Sequence, residues 1–500
     1  MIIIAGCASN KQPAEQLGKI VFKVSGNDLA QPAFKTGLLY LHSFEYDDAA
    51  EAFQLAQKSD PEFIMAYWGE AMTNNHPLWR EQQYEKGNAI LNRISTNPEE
   101  RVAKAKTELE KDFIKSVNIL FGQGNKKERD SSYAAFMETL YNKYPGNNEV
   151  ASFYCLALIG KAVEGRQTKE FEKAAEIAKT IIERNPLHPG ALHYMIHAYD
   201  DPDHAALALT AADKYAKTAP DAGHALHMPT HIYLALGMWD KVVSSNIVSW
   251  AAEKERKERK KLDNDALGYH AYHWLLYGYL QQGKLNVAKN MVDSMQQFCN
   301  DLPSPFARTH AIFLTSTYMA ETGKYEETLA DAPFPSKDLN IQTRSRNIFV
   351  KGMSAYQQKD AVKLDKIIRQ LTGERLIEQQ KLSGNEIQVC GSINRNMPTL
   401  SDLQKTEVIE LQLTAMKSWL QKDTVNTEKL LQQATELEQK STYAYGPPTV
   451  IKPSFEMYGE WLLEINRPKD ALREFEKSLE LAPNKQLSVK GKENALSMLN

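Results

Sequence analysis

The chain of 500 residues is long enough for several ordinary domains or for one long array of repeats. Its 42% of hydrophobic and 25% of charged residues exclude a disordered or collagen-like chain. A net charge of −3 argues against a nucleic-acid partner held by phosphate contacts, because proteins of that kind are normally basic. We therefore predict a folded protein with no nucleic-acid partner.

The first ten residues carry a candidate lipid anchor. Ile4, Ala5 and Gly6 precede Cys7, and this order resembles a bacterial lipobox, whose cysteine becomes lipidated. A complete signal also needs a basic region and an apolar stretch of about 7–15 residues before the cysteine. The alternative interpretation is a short apolar tail of a cytosolic protein. The polar residues after Cys7 favour a tether, so we predict a periplasm-facing lipoprotein of the bacterial cell envelope, attached to the membrane at Cys7.

Regularly spaced small and bulky residues indicate helical repeats. Near the end of the chain the spaced residues are Gly459, Leu462, Ala471, Phe475 and Pro483, and near its start they are Gly37, Ala49, Phe53, Ala56 and Pro61. This spacing resembles a tetratricopeptide repeat, in which small residues let two antiparallel helices approach and a bulky residue fills the space between repeats. The resemblance implies an all-α fold, a right-handed superhelix (α-solenoid) of about ten to twelve helix-turn-helix repeats.

Breaks in the repeat pattern divide the chain. We expect turns between paired helices at Gly237, Gly283 and Gly323, and an irregular connection over the glycine-rich residues 373–402. The predicted divisions are a signal remnant and linker (1–29), a superhelix with a histidine-rich groove (30–372), the irregular connection (373–402) and C-terminal repeats (403–500). Clear helix pairs are expected at 30–61, 62–95, 189–222, 223–256, 269–302, 309–335 and 452–484, and weaker ones at 130–186, 345–372 and 405–440.

The histidines follow the repeat length. Nine of the twelve lie between His188 and His273, so they are concentrated in a few repeats. His193 precedes His227 by 34 residues, and His197 precedes His231 by the same number. One tetratricopeptide repeat has this length. His193 and His227 therefore occupy position 5 of the first helix of their repeats, and His197 and His231 occupy position 9.

Positions 2, 5, 9 and 12 form one stripe along a helix. In tetratricopeptide superhelices this stripe of the first helix faces the concave groove. Two histidines one turn apart can chelate one metal ion, so we predict a transition-metal site in the groove. The predicted ligands are His193, His197, Asp200, His224, His227, His231, His270 and His273.

Imidazole outnumbers carboxylate in this set, which favours zinc, copper or iron over magnesium or calcium. Zinc is the first choice, with copper or iron as alternatives. The histidines could instead bind an organic anion or a peptide carboxylate, or could be inherited from duplication of one structural repeat. His42 and His76 would join the site only if the superhelix curls back toward its start. Asp203 and His204 lie in a turn and are at best outer-shell candidates.

Longer phrases resemble a subfamily of bacterial tetratricopeptide proteins. The phrases are Ala66–Met72 followed by His76–Trp79, then His193–Pro202, then His224–Tyr233. The resemblance covers roughly residues 30–290 and implies a fold and a shared site without a named activity.

We predict a cell-envelope scaffold that binds a protein or peptide in its groove and carries the metal site there. The alternatives are a metalloenzyme, either a hydrolase or an oxidase, a metal-free module that binds a peptide or protein, and a protein of periplasmic metal storage or delivery. The segment His193–His197 lacks the glutamate of the His-Glu-x-x-His motif, so a zincin-like peptidase is not supported.

Overall fold

The computed structural model describes residues 16–79, 81–161, 168–330, 334–383, 398–441, 443 and 445–500. This part of the chain is an all-α superhelix of tetratricopeptide-like helix pairs. Its strands are limited to one two-residue antiparallel ladder, Asn75–His76 with Glu81–Gln82. Cys7 lies outside the described residues, so the lipid anchor stays a prediction.

The helices up to residue 260 are α1 (Gln31–His42), α2 (Tyr46–Ser59), α3 (Ile64–Met72), α4 (Tyr84–Asn92), α5 (Pro98–Ala103), α6 (Glu108–Leu120), α7 (Lys126–Lys143), α8 (Asn148–Gly160), α9 (Thr168–Arg184), α10 (Pro189–Ala198), α11 (Ala205–Thr218), α12 (Gly223–His227), α13 (Pro229–Ala235) and α14 (Trp239–Lys260). The later helices are α15 (Tyr269–Gln281), α16 (Leu285–Asp301), α17 (Pro305–Thr322), α18 (Glu327–Ala330), α19 (Ile341–Gln357), α20 (Ala361–Ser383), α21 (Leu400–Leu420), α22 (Thr424–Lys440), α23 (Ser454–Glu464), α24 (Pro468–Leu481) and α25 (Gln486–Leu499). Single 3₁₀ turns occur at Pro77–Trp79 and Asn264–Ala266.

Small and bulky residues pack between repeats as their spacing predicts. The ring of Phe53 lies between Gly37 of its own helix pair and Gly69 of the next. A Cβ atom at Gly69 would come within 2.4 Å of that ring, so no larger residue fits there without displacing Phe53. Phe475 lies in the same way between Gly459 and Gly491.

The predicted turn glycines are confirmed. Gly237, Gly283 and Gly323 have φ angles of +65°, +72° and +67°, in the left-handed region that glycine adopts without a steric penalty. Each of them directly separates the two helices of a pair.

The predicted irregular connection at 373–402 differs in the structure over its first part. Helix α20 continues to Ser383, so residues 373–383 are helical although they include Gly373. Residues 384–397 lie outside the described residues, and α21 begins at Leu400. The division of the chain into two sets of repeats stays a prediction.

A proline divides one first helix into two. Helix α12 ends at His227, and α13 begins at Pro229, whose ring nitrogen has no proton to donate to the preceding turn. The hydroxyl of Thr230 donates to the carbonyl of His227 at 2.7 Å and so satisfies one acceptor at the break. Both sides of this break carry histidines of the predicted site.

Both ends of the described chain contact its middle. Near the start, the Lys19 amide donates to the carbonyl of Leu187 at 2.8 Å. Near the end, the indole of Trp239 donates to the carbonyl of Asn484 at 2.8 Å. Helix α1 also packs against α10, because the superhelix curls back on its first repeat.

Within the described residues, no helix combines the length and apolar character that a bilayer crossing requires.

Candidate metal centre

Six of the eight predicted ligands form two compact groups. Triad A consists of His193, His197 and His224, and triad B consists of His227, His231 and His270. In each triad, one potential ligand atom from every residue lies within 4.8 Å of the other two.

The two triads are built by the same rule. An i,i+4 pair at positions 5 and 9 of one first helix meets the histidine at position 2 of the next first helix. In triad A the pair lies on α10, and its Nε2 atoms are 3.0 Å apart. In triad B the pair spans the break between α12 and α13, and the third histidine is the second residue of α15.

Hydrogen bonds at Nδ1, which we call outer contacts, hold three of these rings in a defined orientation. His193 Nδ1 is 2.8 Å from the carbonyl oxygen of His42, which can only accept, so this nitrogen carries the proton. His227 Nδ1 is 2.7 Å from the side-chain oxygen of Asn246, and His231 Nδ1 is 2.5 Å from a carboxylate oxygen of Asp200. In a neutral ring with Nδ1 protonated, Nε2 carries the lone pair, which is the tautomer of many metal-binding histidines.

Two buried imidazole nitrogens, one in each triad, have no protein partner. Nε2 of His224 and Nε2 of His227 are buried and form no hydrogen bond. Buried polar atoms in folded proteins almost always have a partner, so each such atom needs an explanation. One unpartnered nitrogen in each triad is consistent with a ligand that completes the group.

Protonation of four of the triad histidines is unfavourable. Burial lowers the pKa of His193, His197 and His224 well below the usual value, and neighbouring imidazoles lower it further. Burial and the nearby His231 lower the pKa of His227 to about 3. These rings are therefore neutral at pH 7, which is the form that binds metal.

The low pKa values predict that acid destabilises the metal-free protein. The unfolded chain binds protons near pH 6.5 and the folded chain does not, so the free energy of unfolding falls as pH drops below 6.5. With a folded pKa of about 3, His227 alone should remove about 2 kcal/mol between pH 7 and pH 5. Urea unfolding of chelator-treated protein at both pH values measures this loss, which should be smaller in His227→Gln. A pH-independent unfolding free energy would contradict the prediction.

Aromatic side chains surround both triads. The ring centroid of Phe44 is 4.3 Å from that of His193, and that of Trp79 is 5.9 Å from that of His224. Trp274 lies 4.3 Å from His231 in triad B. Phe44 has a φ of +59°, which is rare for a bulky residue and places its ring against triad A. These rings lower the local polarity and strengthen electrostatic interactions in the groove.

The structure places the other two predicted ligands differently. Asp200 contacts the outer nitrogen of His231, so its position is that of a residue that orients a ligand. Nε2 of His273 lies 2.9 Å from the hydroxyl of Thr317, and His273 is in neither triad. It occupies position 5 of its repeat, but position 9 there is Tyr277, which cannot complete an imidazole pair.

The superhelix does curl back to its start, which brings His42 beside triad A without making it a member. Its backbone carbonyl accepts from His193, while its Nε2 is 2.8 Å from Glu149. The other carboxylate oxygen of Glu149 is 3.1 Å from His188 Nε2. His42, Glu149 and His188 are fully buried and bonded to one another, so they support α10 from behind.

The remaining candidates stay outside the triads. His76 stacks on Tyr46 and lies 2.9 Å from the carbonyl of Thr73. His204 pairs with Asp201, whose carboxylate also accepts from the backbone of Asp203. Contacts of this kind between side chains and nearby backbone stabilise turns.

Sequence reasoning missed Asn246 and Glu149. Asn246 lies in the second helix of its pair, where a buried amide resembles any other polar residue of a helix. Glu149 follows the capping residue Asn147 and resembles an ordinary first-turn acid. Neither position carries a signal that the repeat register could reveal.

Comparisons with known proteins add little beyond the helical architecture. No family model matches the chain, and no curated protein matches it. Among solved structures, yeast Tom70 is 11% identical over 94% of this chain and 88% of its own, with a TM-score of 0.33. The human IFIT1 dimer with m7Gppp-AAAA is 12% identical over 95% and 96% of the two chains, with a TM-score of 0.38. The APC/C hetero-tetramer Cut9–Hcn1 is 12% identical over 95% and 78%, with a TM-score of 0.36. Such low TM-scores carry no functional argument, and the bacterial subfamily stays a prediction.

Proposed function

We propose that this protein is a helical-repeat scaffold that binds transition metal through histidines of its groove. The observation that carries the proposal is the convergence of six imidazoles from three consecutive first helices into two compact triads. Structural histidines seldom leave a buried nitrogen without a partner, as His224 and His227 do. Zinc is the first candidate ion, and copper or iron also suit imidazole ligands.

The outer contacts support the metal over an organic anion. An anion needs donors, and a neutral imidazole whose Nδ1 proton is already bonded presents only a lone pair on Nε2. This is the state of His193 and His227, whose Nδ1 protons are bonded and whose pKa values are lowered by burial. Protonation of Nε2 would give donors, but burial of His193 and His227 opposes the added charge.

Metal analysis by mass spectrometry after mild purification tests the proposal. We expect about one or two equivalents of a transition metal, and we expect their loss in His193→Ala/His227→Ala, which removes one ligand from each triad. His204→Ala, which lies outside both triads, is the matched control and should keep the metal. A metal-free protein without measurable affinity for zinc, copper or iron would overturn the proposal.

A catalytic role is the second candidate function. Three protein ligands per group, rather than four, are typical of sites that keep a position for water. Turnover of ester or phenolic substrates by the metal-loaded protein, absent in His193→Ala/His227→Ala, would support it. Without such turnover, the remaining role is a scaffold that offers its groove to a protein or peptide.

The location of the protein is a separate proposal. The order Ile4, Ala5, Gly6 and Cys7 supports lipidation and attachment to the bacterial cell envelope, with the repeats facing the periplasm. Incorporation of labelled palmitate into the full-length protein, abolished in Cys7→Ser, tests this. Equal labelling of the variant would contradict it.

A further inference from the structure

The size of a coordination shell limits how the six histidines can share metal. Bonds from zinc to histidine nitrogen are about 2.0–2.1 Å long, so two ligands of one ion are at most about 4.2 Å apart. Within each triad the three ligand atoms lie within 4.8 Å of one another, and one pair in triad A is already at 3.0 Å. Each triad can therefore close on one ion through small side-chain movements.

The repeat rule makes the triads equivalent modules. Each takes positions 5 and 9 of one first helix and position 2 of the next, so the transformation that relates two repeats also relates the triads. A third triad built by the same rule would consist of His273 at position 5, Tyr277 at position 9 and His310 at position 2 of the next first helix. There the buried guanidinium of Arg346 donates to Thr317, the same hydroxyl that His273 contacts. Its positive charge opposes a cation, so this third position is excluded.

The two modules are neighbours. The ring centroids of His197 and His231 are 5.8 Å apart, and those of His224 and His227 are 6.3 Å apart. The two triads are therefore directly adjacent.

The outer contacts differ between the modules. Triad B has the carboxylate of Asp200 on His231 and the amide of Asn246 on His227, whereas triad A has a backbone carbonyl on His193. A carboxylate raises the basicity of the ring that it contacts and lowers the net charge around a bound cation. These contacts favour tighter metal binding in triad B.

We propose that the groove holds two transition-metal ions in a dinuclear centre, one in each histidine triad, and that triad B fills first. Each ion keeps at least one position for water, because each has three protein ligands. This inference rests on the proposed function and specifies the number of ions, their separate ligands and their order of binding.

Titration of the metal-free, full-length protein with cobalt(II), followed by its visible absorption, tests the number of ions. The expected result is two equivalents with different affinities in the parent protein, and one equivalent in either His224→Ala or His270→Ala. One equivalent in the parent, lost in both variants, would show a single shared ion and overturn the inference while leaving the proposed function intact. No cobalt or zinc binding at all would instead contradict the proposed function.

Asp200→Asn tests the order of binding. We expect the affinity of the first equivalent to fall by about 10–100-fold and the second to change little, because the carboxylate contacts only triad B. His270→Ala should remove this same first equivalent. The control is Asp203→Asn in the adjacent turn, which should leave both affinities unchanged. An Asp200→Asn effect on the weaker ion alone, or on neither, would overturn the assigned order.

Discussion

Replacement of Glu149 by alanine should lower the free energy of unfolding by about 3–5 kcal/mol. The carboxylate is fully buried, and each of its oxygens contacts an imidazole, of His42 at 2.8 Å and of His188 at 3.1 Å. Burial alone would raise the pKa of Glu149, but the two imidazoles lower it to about 2, so the group is ionised at neutral pH. Its removal leaves two buried N–H donors without an acceptor, and each such donor costs about 1–3 kcal/mol.

Urea unfolding at pH 7.5 measures this effect. The matched control is Glu138→Ala, because Glu138 also contacts a nitrogen-bearing side chain, that of Lys173, but both side chains are 48% exposed. A pair so exposed contributes less than about 1 kcal/mol. Equal losses in the two variants would show that the buried contact has no special weight.

Replacement of Lys485 by methionine should be similarly destabilising, by about 3–5 kcal/mol. The ammonium group is fully buried and lies 2.8 Å from Glu321 and 2.9 Å from Glu456. Methionine keeps much of the length of the side chain but leaves two buried carboxylates facing each other without this cation. Glu456 retains Lys452 at 2.9 Å, so Glu321 bears most of the loss.

Lys492→Met provides the control for this prediction. Lys492 pairs with Glu476 at the surface, and its loss should change the unfolding free energy by less than about 1 kcal/mol. Addition of Glu321→Gln to Lys485→Met should recover part of the stability, because it removes the uncompensated charge. If the single variant unfolds at the same urea concentration as the parent, the prediction is wrong.

The fold and the residues of the two histidine triads could largely be predicted from the sequence. Gly37 and Phe53 set the repeat register, and the same register placed His193 and His197 on the groove face. These features are local, because a helix fixes which residues share a stripe. The grouping into triads was not predictable, since it depends on how far one first helix is rotated from the next.

The outer contacts were also beyond the sequence. Asn246 reaches His227 from the second helix of the same pair, and the His42 carbonyl reaches His193 across 151 residues. Such contacts depend on the curvature accumulated over several repeats, which no single spacing encodes. His273 lies outside both triads for a related reason, because its surroundings are set by Thr317 and Arg346 on later helices.

The attachment of both chain ends to the middle changes the mechanical character of this superhelix. In an open solenoid each repeat contacts only its neighbours. Such a solenoid can therefore stretch along its axis, and its folding can begin at any repeat. Here Trp239 bonds to Asn484 across 245 residues, and Lys19 bonds to Leu187 across the first repeats. A change in the pitch of the superhelix would have to break these two hydrogen bonds. These contacts therefore oppose a change in the curvature of the superhelix, and their large separation in sequence makes folding slower than in a linear array.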